Sequence, residues 1–310
     1  MKAVLLDSNS LGDLDLSSLN TLLKDLEIFP TTDYDQIISR CKDAEILLTN
    51  KCRLDAFILN QLPKLKLIQL FATGMDNIDL PFAKNKGIVV KNVSHYSSQS
   101  VATYVLTTIL NLFTSYPSYI RDVKDGKWST SKAFTFLDHP IETLSGKTLG
   151  IFGYGNIGKK VHEMTSSLGM NTLIAKGTKQ HYEENRLDLK DLLPLVDILL
   201  IMCPLTEQTK NKITLKELKL MKSSAFIINA ARGGIVNEVD LAHALDVNII
   251  AGAGIDVLSQ EPPQSDHPLI NCNHPKLYLT PHIAWAATSA RKSLLEKVIV
   301  NIEDFIKGDF

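Results

Sequence analysis

The chain has 310 residues, 45% of them hydrophobic and 22% charged, and its 33 Lys and Arg against 34 Asp and Glu leave a formal net charge of −1. These numbers exclude intrinsic disorder and collagen-like repetition, and a near-neutral chain without a basic run gives no reason to expect a nucleic-acid partner. At roughly 100–200 residues per domain, two domains are expected, long enough to bury cores without disulfides or structural metals.

The four cysteines, Cys41, Cys52, Cys203 and Cys272, form no CxxC pair and no His–Cys cluster. Reduced thiols in a cytoplasmic protein, with no metal site, are the expectation. The opening MKAVLLDSN is too short an apolar run for a signal peptide. No stretch reaches the roughly 18 apolar residues of a membrane-spanning helix, so no membrane partner is expected.

Short apolar runs alternate with helical patterns along the chain. Strands are predicted at residues 3–6, 45–49, 67–71 and 88–91, with helices between them such as 16–26 and 56–62. A helical segment at 100–116 follows, apolar enough over 101–113 to serve as either a core helix or an interface. A second strand series reads 148–152, 172–175, 197–202, 225–229, 249–255 and 277–280, and residues 289–306 carry a one-sided helical stripe. Continuous apolar strands alternating with helices predict βαβ units, hence an α/β fold of two doubly wound parallel sheets covered on both faces.

Between the strand at 148–152 and the helical segment 159–168 lies Gly153-Tyr154-Gly155-Asn156-Ile157-Gly158. In that setting GxGxxG is a dinucleotide-binding turn. Its first Gly permits the tight turn, its second lets backbone approach a pyrophosphate, and its third lets the helix pack close to the strand. An acid that would hold the ribose hydroxyls belongs at the end of the next strand, but Lys176 stands there, followed by Gly177, Thr178 and Lys179. An acid would repel a 2′-phosphate, whereas lysines attract one. The cofactor is therefore expected to be NAD(H) or NADP(H), with Lys176 leaning toward NADP(H).

Three later segments each end a predicted strand and carry one reactive residue: Arg232 in INAARGG, Glu261 after GIDVLSQ, and His282 in LTPHI. Arg232 can hold a carboxylate and a keto oxygen with its planar fork. His282 can protonate a developing alkoxide or remove the hydroxyl proton in reverse. Glu261 can fix the imidazole tautomer and favour its charged form. Singly each residue is ordinary; in this order, downstream of a nucleotide turn, they fit hydride transfer to a 2-keto acid.

The segments ATGMDNID (72–79), GKTLGIFGYGNIGKKV (146–161), CPLTEQTKNKI (203–213), INAARGGIVNE (228–238), GIDVLSQEPP (254–263) and LTPHIAWAAT (279–288) resemble the D-isomer-specific 2-hydroxyacid dehydrogenases over nearly the whole chain. FLDHPIETLSGKTLGIFGYGNIG and PHIAWA are most similar to the glycerate dehydrogenase, or hydroxypyruvate reductase, branch. The resemblance implies a catalytic triad of Arg232, Glu261 and His282, with backbone amides near Thr73, Gly74 and Met75 binding the substrate carboxylate beside Arg232 and His282. It implies cofactor contacts at Asn156 and Ile157 (pyrophosphate), at Cys203, Pro204 and Thr209 (riboses), at Ala230 and Ala231, and at Asp256 (nicotinamide carboxamide). Cys203 reads equally as a buried strand-end thiol, and Trp285 as either a substrate-end aromatic or a packing residue.

The implied architecture is a substrate domain of residues 1–99 plus 286–310 and a dinucleotide-binding domain of residues 100–285, with an interdomain cleft that closes, in a homodimer. The implied reaction is reversible reduction of hydroxypyruvate, and of glyoxylate, to the D-2-hydroxy acid. A lactate-like, branched or phosphoglycerate substrate is the alternative. The regulatory domain that some phosphoglycerate dehydrogenases carry is not expected in a sequence that ends at Phe310, though Lys51 and Arg53 offer some charge for a phosphate. A more distant alternative is an NAD(H)-sensing binding protein resembling corepressors of this fold, against which the lack of long disordered arms argues.

Overall fold

A computed structural model of the chain describes residues 1–177 and 185–309. The chain divides into two units, Met1–Ser97 with Ala286–Phe310, and Ser98–Trp285.

In the first unit, β1 (Lys2–Leu5), β2 (Asp25–Ile28), β3 (Ile46–Thr49), β4 (Leu67–Leu70) and β5 (Val89–Lys91) form an all-parallel sheet in the order β2-β1-β3-β4-β5. The central strands β3 (ILLT) and β4 (LIQL) are buried at every position, as strands covered on both faces must be. The edge strand β2 (DLEI) is mostly exposed. It lies partly where a helix over 16–26 is expected. The helix stops at Ser17–Leu22, and the chain then turns into the sheet edge. An edge strand needs no apolar run, so β2 leaves no strand signal in the sequence. The last helix, Thr288–Lys307, belongs to this unit and buries Leu294, Leu295, Val298 and Ile302. Arg291 at its start donates to the Leu11 carbonyl (3.0 Å) and pairs with Asp13 (2.6 Å), fixing the returning chain.

In the second unit, β6 (Thr148–Phe152), β7 (Asn171–Ala175), β8 (Arg186–Leu187), β9 (Ile198–Ile201), β10 (Phe226–Asn229), β11 (Gly252–Ile255) and β12 (Leu277–Leu279) form a parallel sheet in the order β12-β11-β10-β9-β6-β7-β8. Side chains alternate between its faces. Leu149, Ile151, Ile198, Leu200, Phe226 and Ile228 pack with the helix Ser98–Thr114 through Val101, Val105, Ile109 and Leu112. Leu199, Ile201, Ile227, Ala253 and Ile255 pack on the other side with Leu241 and Leu245. The apolar run 101–113 therefore packs one face into the core and leaves Leu110 exposed on the other. Each fully buried Leu or Ile side chain on the packed face contributes about 1.5–3 kcal/mol. The strand order reverses between β6 and β9, and in doubly wound sheets the ligand crevice lies at the carboxyl ends of the strands at such a point.

Candidate active site

The predicted site residues of the second unit fall at the carboxyl ends of six neighbouring strands. Across the sheet, His282 follows β12, Asp256 and Glu261 follow β11, and Arg232 follows β10. Cys203 and Pro204 follow β9, Gly153–Gly158 follows β6, and Lys176 follows β7. Sheet order thus separates a cofactor end from a catalytic end.

At the cofactor end, Gly153 has φ +111°, and a Cβ there would stand 2.3 Å from the Cys203 main-chain nitrogen, so only Gly fits the turn. Gly158 packs 2.7 Å (as a virtual Cβ) from the Gly153 carbonyl, bringing the helix Asn156–Ser166 against β6. A Cβ on Gly155 would meet nothing within 4 Å. Gly155 and Asn156 are exposed, and Gly155, which precedes the helix, makes no side-chain cap to its first turn. This open cradle of backbone N–H groups at a helix start fits a pyrophosphate. The Tyr154 hydroxyl and His162 Nδ1 lie 2.6 Å apart, which ties the turn to its own helix.

Cys203 is buried in the core, and burial pushes its thiol up to about 12, so it is a neutral packing group at ordinary pH. The Thr209 hydroxyl donates to the Pro204 carbonyl (2.7 Å) and accepts from the Thr206 N–H (2.7 Å), shaping the loop after β9 from within. Lys176 Nζ lies 3.3 Å from Asp188, a half-exposed pair. Sequence reasoning missed Asp188 because it follows β8, a two-residue strand paired with Ile174 and Ala175. Thr178 and Lys179 lie outside the described residues.

At the catalytic end, His282 Nδ1 and Glu261 Oε2 are 2.7 Å apart, with side chains 21% and 32% exposed. An Nδ1–H donated to a carboxylate leaves Nε2 as the working nitrogen. The other Glu261 oxygen accepts from the Leu258 N–H at 2.9 Å. His282 itself has φ +54°, and its N–H is shared between the Asp256 and Thr280 carbonyls (2.8 and 3.0 Å). That conformation is held by Asp256, whose carboxylate accepts from Thr280 Oγ1 (2.7 Å), Ile283 N (2.8 Å) and Ala284 N (2.9 Å). The Tyr104 hydroxyl lies 2.6 Å from Thr280 Oγ1. Since Thr280 gives its one proton to Asp256, Tyr104 is the donor of that bond. Burial pushes the Asp256 carboxyl above its ordinary value, against the lowering effect of these hydrogen bonds and of His282. The expected nicotinamide contact is thus also the brace of the His282 turn. The Tyr104–Thr280–Asp256 chain was missed because its members lie up to 176 residues apart.

Arg232 Nη1 donates to the Ala231 carbonyl (2.8 Å). Asn229 organises the loop through Ala231 and the Arg232 carbonyl (3.1 and 2.9 Å), with Ala230 between them. Gly233 then presses against the Glu261 segment, where a Cβ would stand 1.9 Å from the Leu258 carbonyl carbon. The structure therefore brings Glu261 and His282 into direct contact and wedges the Arg232 loop against the segment that carries Glu261. Trp285 is half-buried against the core face that holds the helix Ser98–Thr114.

In the first unit, Thr73, Gly74 and Met75 follow β4. Thr73 Oγ1 donates to the Val93 carbonyl (2.8 Å), and the Thr73 carbonyl accepts from Asn92 (2.6 Å). Asp7, buried after β1, accepts from the main-chain N–H of Asn50 (2.9 Å) and Lys51 (2.7 Å). Arg53 pairs with Asp55 at 3.5 Å. Among the described residues, no helix is long and apolar enough to cross a membrane, and no group of three or more His, Cys, Asp or Glu is placed to hold a metal ion.

The model of the D-isomer specific 2-hydroxyacid dehydrogenase NAD-binding domain matches residues 106–284. The chain is 39% identical over 307 residues to a glycerate dehydrogenase of Methylorubrum extorquens, covering 99% of this chain and 96% of that one. It is 34% identical over 316 residues to a hydroxypyruvate reductase of Blautia hydrogenotrophica, covering 99% and 98%. A solved structure of D-lactate dehydrogenase from Aquifex aeolicus, complexed with NAD and lactic acid, superposes with a TM-score of 0.86 at 27% identity, covering 99% and 96%. The chain belongs to the D-isomer-specific 2-hydroxyacid dehydrogenases. It is an NAD(P)-dependent enzyme acting on a small keto or hydroxy acid, and its sequence is of the glycerate dehydrogenase and hydroxypyruvate reductase type.

Proposed function

We propose that the enzyme reversibly reduces hydroxypyruvate, and glyoxylate as a second substrate, to the D-2-hydroxy acid. The observation that carries the reading is the 2.7 Å contact between His282 Nδ1 and Glu261, which leaves Nε2 to exchange a proton with the substrate oxygen. Arg232 binds the carboxylate and keto oxygen, and the amides of Thr73, Gly74 and Met75 add carboxylate donors. When bound, the nicotinamide cofactor supplies or accepts the hydride. The residues proposed to hold it are Tyr154 and the Gly153–Gly158 backbone with Asn156 and Ile157, then Cys203, Pro204, Thr209, Ala230, Ala231 and Asp256. The similarity to glycerate dehydrogenase and hydroxypyruvate reductase supports the substrate.

Lys176, where an acid would reject a 2′-phosphate, supports acceptance of NADP(H), although its ion pair with Asp188 weakens that attraction. We place the enzyme in the cytoplasm on its four free thiols. We also propose a homodimer, supported by exposed apolar side chains after the helix Tyr116–Lys124: Trp128, Phe134 (90% exposed), Leu137 and Ile141. A sedimentation mass of one chain would overturn the dimer, and a secreted pool would overturn the location.

Initial rates with hydroxypyruvate, using NADH and NADPH in parallel, test the central reading. Turnover that weakens in the reductive direction and strengthens in the oxidative direction as pH rises is the expected result. Comparable specificity constants for the two cofactors would remove any preference from Lys176. Turnover on lactate-like or branched keto acids in place of hydroxypyruvate would move the substrate assignment.

A further inference from the structure

Glu238 opens the helix Glu238–Asp246, whose cap is made by the preceding residue: the Asn237 side chain accepts from the Asp240 N–H. Its own carboxylate is therefore not needed to cap the helix, and it is turned toward the loop after β11. Glu238 Oε1 accepts from the Ser259 N–H at 2.7 Å, and Oε2 accepts from the Ser259 hydroxyl at 2.7 Å. His267 Nε2 lies 2.9 Å from Oε2, and both side chains of that pair are only 11% exposed.

The tautomer of His267 follows from a second contact. Its Nδ1 accepts from the Leu269 N–H at 3.2 Å, at the start of the short helix Pro268–Asn271. An accepting Nδ1 carries no proton, so the ring proton is on Nε2 and is donated to Glu238. One carboxylate thus receives three donors, and every one of them needs an acceptor that bears no hydrogen.

Ser259 lies two residues before Glu261 and one after Leu258, whose N–H holds the other oxygen of Glu261. Gly233 packs against the backbone of the same segment, at the Leu258 carbonyl and Ser259 N. The segment is therefore held by both the Arg232 loop and the Glu238 carboxylate. We propose that Glu238 is a positioning residue that sets the Leu258–Glu261 segment, so that Glu261 meets His282 Nδ1, with His267 locking the Glu238 carboxylate. This rests on the reading of Glu261 and His282 as the acid–base pair. Glu238 touches no reacting atom; it acts only through Glu261.

Glu238→Gln is the informative change, because it keeps size while removing the charge and replacing one acceptor oxygen by an amide N–H₂. The new amide N–H₂ must face either the His267 Nε2–H or the Ser259 N–H, and the Leu269 bond blocks His267 from changing tautomer. A displacement of catalytic groups by about 1 Å costs on the order of 10²-fold. The expected result is a kcat lowered by about 10–100-fold, with the dissociation constant for NADH unchanged within about twofold. The loss should appear equally in kcat and kcat/KM, with KM little changed, as for an interaction realised in the transition state. In a Glu261→Gln background, Glu238→Gln should add almost nothing, since coupled residues are non-additive.

Full additivity in that background, or an unchanged kcat in the single variant, overturns the proposal. Ser259→Ala removes one of the three bonds from an exposed residue. It should lower kcat by a smaller amount, again with KM little changed, and it serves if Glu238→Gln fails to fold. If Glu261→Gln and His282→Ala both keep wild-type turnover, the acid–base reading has failed instead, and the two failures are told apart.

Discussion

Each unit fixes a loop with a buried aspartate at the carboxyl end of a strand, and the two put this device to different ends. In the first, Asp7 follows β1 and accepts from the Asn50 and Lys51 N–H groups and from Thr49 Oγ1 (3.1 Å), pinning the loop after the neighbouring strand β3. In the second, Asp256 follows β11 and accepts from Thr280, Ile283 and Ala284, pinning the loop after its neighbour β12. Both carboxylates are buried, at 8% and 1% exposure, and both are satisfied largely by main-chain donors. A buried charge is tolerated when it is saturated with hydrogen bonds, and in return it rigidifies the loop that supplies them. The difference is the cargo. The loop on Asp256 carries His282 in a left-handed conformation, aimed by Glu261, whereas the loop on Asp7 presents Lys51 and Arg53.

The largest effect should come from removing that cargo. His282→Ala is expected to lower kcat for keto-acid reduction by about 10²–10⁴-fold, the contribution of a positioned proton donor, with the melting temperature little changed. Lys51→Ala, in the loop that Asp7 pins in the first unit, should lower kcat for hydroxypyruvate by less than about tenfold, since no proton transfer is assigned to it. Steady-state kinetics on both variants checks the pair. Equal losses would erase the asymmetry between the loops.

Removing the brace instead of the cargo should separate stability from activity. In Asp256→Asn, a single amide oxygen replaces two carboxylate oxygens, so either the Ile283 or the Ala284 N–H is left facing an amide N–H₂. Asp7→Asn meets a milder conflict, because the Asn50 N–H reaches both Asp7 oxygens (2.9 and 3.1 Å) and an amide oxygen at the Oδ2 position can accept from Asn50 and Lys51 together. A buried donor left unsatisfied costs about 1–3 kcal/mol, so urea unfolding should show the larger destabilisation in Asp256→Asn. Only Asp256→Asn should also lose kcat by about tenfold or more, because it loosens the turn that presents His282. An Asp7→Asn variant with the larger kinetic defect would reverse the assignment of roles.

Much of this arrangement is legible in the sequence, and what is not has common physical causes. The central strands are readable because burial on both faces forces continuous apolar runs such as ILLI at Ile198–Ile201. The glycine turn is readable because its spacing is local. Arg232, Glu261 and His282 stand out because each follows a readable strand. By contrast, β2 is an exposed edge strand and β8 has only two residues, so neither carries an apolar signal. Glu238 reads as an ordinary first-turn acid of a helix, a placement the helix dipole favours without any functional reason. Its partner His267 is 29 residues away, and Tyr104 is 176 residues from Thr280. Hydrogen bonds over such separations follow no period, so only the folded chain shows them.

The smallest effect concerns the pH dependence of the Asp256 brace. Burial is the largest influence on this carboxyl and raises it, with the hydrogen bonds from Thr280, Ala284 and Ile283 and the nearby His282 opposing. An acid whose value is higher in the folded than in the unfolded chain binds its proton more tightly when folded. Its favourable contribution is complete below the ordinary value of about 3.9 and is lost as pH rises through the folded-state value. The asparagine variant has nothing to titrate there, so the difference between the two proteins isolates the one group. The advantage of wild type over Asp256→Asn in urea unfolding should therefore shrink as pH rises from about 4 toward neutrality. A difference that grows over the same range would mean that the three hydrogen bonds outweigh burial, and that this carboxylate stabilises its loop by being charged.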